Sequence, residues 1–91
     1  MQMPGKVIAI GLNYKDHAAE AGVPLPERPV IFTKWTTSLI GNDETILIHK
    51  DVTQIDWEAE LAVVIGKKAS HVSEAEALNY VSGFTCMNDV T

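Results

Sequence analysis

The stretch from Trp57 to Ile65, WEAELAVVI, closed by Gly66, constrains the fold more than any other part of the chain. Carboxylates stand two apart at Glu58 and Glu60 ahead of an apolar, β-branched run, which predicts a strand. Alternate residues of a strand share a face and lie about 6.5–7 Å apart along it. Glu58, Glu60, Ala62 and Val64 therefore fall on one face, and Trp57, Ala59, Leu61, Val63 and Ile65 on the other. A solvated outer face would produce these letters. So would two oxygen donors leaning toward one hard cation.

The rest of the chain reads as strands with two short helices. Lys6 to Leu12 (KVIAIGL) predicts a buried strand, and Asn13 to Gly22 a helix that Asn13 can cap, alanines favour and Gly22 ends. Pro24, Pro26 and Pro29 force an extended loop into a second strand, Val30 to Lys34. A polar turn at Gly41-Asn42-Asp43 precedes a third expected strand, Thr45 to His49. Ser73 and Glu76 have the form of a capping box heading a helix from about 73 to 82, with Ala77, Leu78 and Val81 as its apolar stripe. Gly83 is expected to break it, and Phe84 to Asp89 to form the last strand. The mixture predicts an α+β fold in one domain spanning residues 1–91.

Composition narrows the function classes. The 91 residues carry 12 acidic against 7 basic side chains, a formal charge of −5. That balance argues against nucleic acid, whose phosphates are neutralised by Lys and Arg. With 46% hydrophobic residues the chain is globular in composition, at the small end of what buries its own core. It is either a compact module or part of something larger. The single Cys86 excludes an internal disulfide and permits a reducing cytoplasm, the expected location. The lead-in Met1–Lys6 and the run Val7–Leu12 are too short for a signal segment, and no stretch approaches membrane-spanning length, so no membrane partner is expected.

Other residues could carry chemistry. Asp89, at the end of the last expected strand, is either a turn former or a third carboxylate, and with Glu58 and Glu60 it would complete an all-oxygen site suited to Mg²⁺, Mn²⁺ or Ca²⁺. His17 and Glu20, three apart on a helix, meet on one face. Such a pair is either an ordinary surface pair or an imidazole made more basic by its carboxylate, as a general base near neutral pH requires. His49, His71 and Cys86 show no zinc spacing, and both histidines are expected to face solvent. Lys34, at a strand end, is either solvated or poised to meet an anionic substrate. The glycines form neither GxGxxG nor a phosphate loop, and no nucleophile elbow surrounds Ser38.

Taken together, Gly11-Leu12-Asn13-Tyr14-Lys15-Asp16-His17-Ala18-Ala19-Glu20, then Pro29-Val30-Ile31-Phe32-Thr33-Lys34, then Asp56 to Gly66, then Tyr80-Val81-Ser82-Gly83-Phe84 and Asn88-Asp89-Val90-Thr91 closely resemble the fumarylacetoacetate hydrolase family in order and spacing. The resemblance implies the β-rich β-sandwich roll of that family's catalytic domain, a homodimer and a divalent metal. By position it puts the metal carboxylates at Glu58, Glu60 and Asp89, the catalytic pair at His17 and Glu20, and a substrate-binding lysine at Lys34. Trp35 departs from the proline many members carry there and is expected to reshape the pocket wall. The family's later elements, an Ala-Arg-Asp segment with a nearby Gln, a substrate-site lysine and a glycine-rich loop, would follow Thr91. The chain is thus expected to be the N-terminal part of a catalytic domain, less than half of one and inactive alone.

The activity so implied is metal-dependent hydrolysis of a carbon–carbon bond in a small 2,4-dioxo acid, of acylpyruvate or fumarylpyruvate type, through a pyruvate enolate held at the metal. Decarboxylation of oxaloacetate, or isomerisation of 2-hydroxyhepta-2,4-diene-1,7-dioate in aromatic catabolism, would use the same site. Two other classes stand beside these. One is a non-catalytic fragment or structural partner that keeps the motifs without closing a pocket. The other is an acidic binding module whose carboxylates are surface charge.

Overall fold

The computed structural model describes residues 3–91, so Met1 and Gln2 of the lead-in lie outside the described residues. The chain divides into two compact units, Met1–Leu47 and Ile48–Thr91. Each contains one two-stranded antiparallel sheet.

In the first unit β1 (Val7–Gly11) pairs with β2 (Val30–Lys34), Val7 opposite Lys34 and Gly11 opposite Val30. The β-branched residues of VIAIG and VIFTK suit a pleated ladder. Between them lies helix α1 (Lys15–Glu20), shorter than the expected helix from Asn13 and with Tyr14, not Asn13, at its N-cap. The early end of the strand explains the shift: Leu12 turns the chain with a left-handed φ of 52°, and helical geometry begins only two residues after Asn13. The other end is as expected. Gly22, at φ 65°, closes a Schellman motif in which its N–H donates to the Ala19 carbonyl (3.1 Å) and the Val23 N–H to the Ala18 carbonyl (3.0 Å). Ala18, on the covered side of α1, is the buried residue among those described.

The second unit is built on β3 (Ala59–Ile65) and β4 (Val81–Asn88), joined by residues 66–80 with a 3₁₀ segment at Glu74–Tyr80. The register runs from Ala59 opposite Asn88 to Val64 opposite Gly83, then shifts so that Ile65 faces Val81. Ser82 is the extra residue of that bulge. Gly66 sits against it: a Cβ there would lie 2.5 Å from the Ser82 Cβ. The glycine thus permits a close approach of backbone to side chain.

Further expectations need correction: β1 is not the buried strand expected over Lys6–Leu12, since Ile8 and Ile10 are exposed and the two-stranded sheet leaves that face uncovered. Thr45–His49 forms no strand; its apolar residues are exposed and it pairs with neither sheet. Alternation alone cannot make a strand without a ladder to join. The expected helix over 73–82 is a 3₁₀ segment, and the Ser73 hydroxyl donates to the Glu76 carboxylate (3.0 Å) with no side-chain bond capping the backbone. Gly83 breaks nothing: it lies inside β4, which starts at Val81.

Candidate functional site

The register of the second unit sorts the candidate carboxylates. Glu60 pairs with Met87, and one step beyond the end of β3 the Asp89 N–H donates to the Glu58 carbonyl at 3.0 Å. Glu58 and Asp89 are therefore direct cross-strand neighbours, and Glu60 is the next residue on the same face. Pairing continues to Asp56 and Thr91, which exchange two backbone hydrogen bonds of 2.9 and 3.1 Å. Directly opposed Cβ atoms in such a sheet stand about 4.5–5.5 Å apart and diagonal neighbours about 7–8 Å. Two carboxylates and a third on the diagonal thus crowd like charges, which destabilises the pair unless a cation or donors intervene.

The exposure of this hairpin is the reverse of a simple amphipathic strand. Glu58, Glu60 and Ala62, with Met87 and Asp89 across from them, are half-buried. The other face is open: Trp57 is 71% exposed, Leu61 67% and Phe84 60%. The carboxylates are consequently on the better-covered face of the hairpin. Their donor set is all oxygen, which suits a hard divalent cation. Among the described residues no three His, Cys, Asp or Glu side chains are gathered closely enough to enclose an ion. What fits a cation here is the donor chemistry and the shared face.

In the first unit, His17 and Glu20 lie three residues apart on α1, both exposed. The His17 carbonyl accepts the Ala21 N–H at 3.0 Å, tying its backbone into the end of the helix. Lys34, half-buried, ends β2 on the face that also carries Phe32 and Val30. Trp35 stands exposed immediately after it, at the entry to a 3₁₀ turn, Thr36–Ser38, where its carbonyl accepts the Ser38 hydroxyl at 2.7 Å. His49 and His71 are exposed as expected, and the free Cys86 lies exposed on β4.

One residue escaped the sequence reading. Asn88, last in β4, accepts the Glu58 N–H on its side-chain Oδ1 at 3.1 Å. With Trp57, Glu58, Ala59, Cys86 and Met87 it lines a shallow open concavity at the end of the hairpin. The available signal was an asparagine, a poor strand former, in a run otherwise suited to a strand.

Comparison with known proteins shows the family of the chain. Residues 6–91 match the fumarylacetoacetate (FAA) hydrolase C-terminal family. A protein of Burkholderia cenocepacia (strain HI2424), provisionally named a hydrolase, is 56% identical over 87 residues, and one of Burkholderia ambifaria (strain MC40-6), similarly named, is 55% identical. The match covers 96% of this chain and 31% of each of those proteins, so the chain spans about a third of the length of these curated relatives. Among solved structures, a protein of Mycobacterium smegmatis provisionally named HpcE superposes with a TM-score of 0.86 at 42% identity, covering 97% of this chain and 31% of that one. An uncharacterised Mycobacterium abscessus protein gives 0.78 at 45% identity, covering 94% and 34%. The match in sequence runs through both units and the superpositions take in nearly all of the chain, and on these grounds the chain belongs to the fumarylacetoacetate hydrolase family.

Proposed function

We propose that these residues serve the hydrolysis of a carbon–carbon bond in a small 2,4-dioxo acid of acylpyruvate type, in an enzyme of the length the relatives have. The observation that carries the reading is the placement of Glu58 directly across from Asp89, with Glu60 next on the same half-covered face. The relatives' provisional names say hydrolase, which favours hydrolysis over decarboxylation or isomerisation. The surrounding fold would be the β-sandwich roll of the family, assembled as a homodimer in the cytoplasm.

Glu58, Glu60 and Asp89 would hold a divalent cation, Mg²⁺ or Mn²⁺, with Ca²⁺ also accommodated by oxygen donors. Such an ion supplies Lewis-acid polarisation of the 2-oxo acid and compensates charge that grows as the bond breaks. His17 would take a proton from the attacking water at an imidazole nitrogen, with Glu20 one helical turn away on α1. Lys34 would offer its ammonium to a substrate carboxylate. A donor aimed at developing charge lowers the barrier only as far as it binds the transition state better than the substrate.

The test is an assay of the complete protein on acylpyruvates, following loss of the dioxo acid and appearance of pyruvate, with chelator and then with Mg²⁺ or Mn²⁺ restored. Activity lost to the chelator and recovered with either metal is expected. Full turnover in chelator, or CO₂ release without acyl cleavage, would overturn the reading.

A further inference from the structure

We infer that Asn88 is a positioning residue for the Glu58–Asp89 carboxylate pair, setting how the two acids are presented to a divalent cation; the inference rests on the metal reading above. Residues of a hydrogen-bonded antiparallel pair normally exchange both N–H···O bonds. Asp56 and Thr91 do so. At the next such pair, Asp89 donates to the Glu58 carbonyl, but the Glu58 N–H goes to Asn88 Oδ1 at 3.1 Å.

The substitution of a side-chain acceptor for a main-chain one falls on the carboxylate pair. Regular pairing stops at Ala59 and Asn88, one step short of the acids, and exchange of both bonds resumes two steps further at Asp56 and Thr91. A buried or half-buried N–H must find an acceptor. A side-chain amide can satisfy it while the two backbones separate and twist, whereas a second main-chain bond would lock them at ladder distance. At Glu58 the backbone is thus tied to β4 by one main-chain bond and one adjustable side-chain bond. That freedom suits two like charges that must turn toward a shared ion and withstand its absence. It also explains an asparagine in a strand of Val, Phe, Thr and Met, where propensity disfavours it.

The test uses the complete protein and Mn²⁺ as the probe, with binding measured by calorimetry and backbone exchange followed at the segment carrying Glu58. Asn88→Ala removes the acceptor and is expected to raise the Mn²⁺ Kd about tenfold, the scale on which outer hydrogen-bond partners tune metal ligands. The Glu58 amide should exchange faster while the Ala62 amide, further along β3, keeps its protection. Asn88→Asp keeps an oxygen acceptor and should retain both the protected Glu58 amide and metal affinity at least equal to the native. A native protein that binds no Mn²⁺ overturns the metal reading together with this inference. Native binding that persists unchanged in Asn88→Ala, with the Glu58 amide released, overturns the inference alone. So does loss of protection across the whole hairpin, which would make Asn88 only a stabiliser of the sheet. Should Asn88→Ala fail to fold, Asn88→Asp decides: affinity kept with a protected amide supports the inference, and binding tenfold weaker despite a protected amide overturns it.

Discussion

The two units place their candidate side chains by different means. In the first, His17 and Glu20 ride on a helix of six residues held between a strained turn at Leu12 and a glycine cap at Gly22. In the second, Glu58, Glu60 and Asp89 are fixed by strand register, which is reinforced by a bulge at one end and the Asp56–Thr91 bonds at the other. A short helix owes its orientation to its ends, since it has too few turns to stabilise itself. A register cannot drift without turning every side chain to the opposite face. The first arrangement suits a group that must approach and shed a proton, the second a set of ligands that must stay together.

The sharpest way to break this contrast is to separate the two functions by mutation in the complete protein. His17→Ala should lower kcat for acylpyruvate hydrolysis by about 10²- to 10⁴-fold, the usual contribution of a positioned general base, with little change in Mn²⁺ affinity. Equal losses in turnover and metal binding would show that His17 is itself a ligand and that the two units do not divide the work. Glu20→Gln should act in the same direction, more mildly.

Next in size is a pair of glycines that look alike in sequence and differ in cause. Gly66→Ala should destabilise by about 1–3 kcal/mol, because the added methyl meets Ser82 at 2.5 Å and the bulge must open. Gly66→Asn should be no better. Gly22→Ala should cost about 1 kcal/mol for a different reason: nothing lies within 4 Å of its added Cβ, but φ is 65°. There Gly22→Asn should recover much of the loss, since asparagine tolerates the left-handed region. Denaturant midpoints for the four variants check both statements, and recovery by asparagine at both sites would refute the steric account of Gly66.

The smallest expected effect tests Asp89 as a ligand. With metal removed, Asp89→Asn should change stability by no more than about 1 kcal/mol, the scale of a cross-strand pair. With saturating Mn²⁺ the native protein should be clearly the more stable, because only it gains from binding. A variant that is destabilised to the same degree in both conditions would mean that Asp89 acts through backbone structure alone.

How much of this was legible in the sequence follows from which forces act locally. β2 was readable to the residue, since prolines block one side and the apolar run ends at Lys34. The shared face of Glu58 and Glu60 follows from the period of a strand. That Asp89 lies across from Glu58 does not, because register depends on a 15-residue connection and a bulge whose existence no local pattern announces. Thr45–His49 carries strand letters without a partner in either sheet, and Gly83 carries a breaker's letter inside a strand. Both misreadings have one origin: propensity describes what a residue tolerates, while pairing decides what it does. Asn88 stayed silent for a related reason. A side-chain bond to the backbone of a residue 30 positions away has no signature in either neighbourhood.

The bulge at Ser82 and the close approach at Gly66 also determine which changes in chain length this hairpin can absorb. Side chains on β3 obey an even–odd parity relative to β4, and the bulge pins that parity at one end. Deleting one residue between Leu61 and Val64 would leave the segment ahead of the cut out of phase, turning Glu58 and Glu60 to the face that Ala59 and Leu61 now occupy. Deleting two would keep the acids on their present face but slide Glu58 from opposite Asp89 to opposite Met87. Both kinds of change in this segment should therefore cost function, odd-numbered ones by turning the acids over and even-numbered ones by parting Glu58 from Asp89, whereas the connection beyond Gly66 and before Tyr80 lies outside the phased stretch and should accept either.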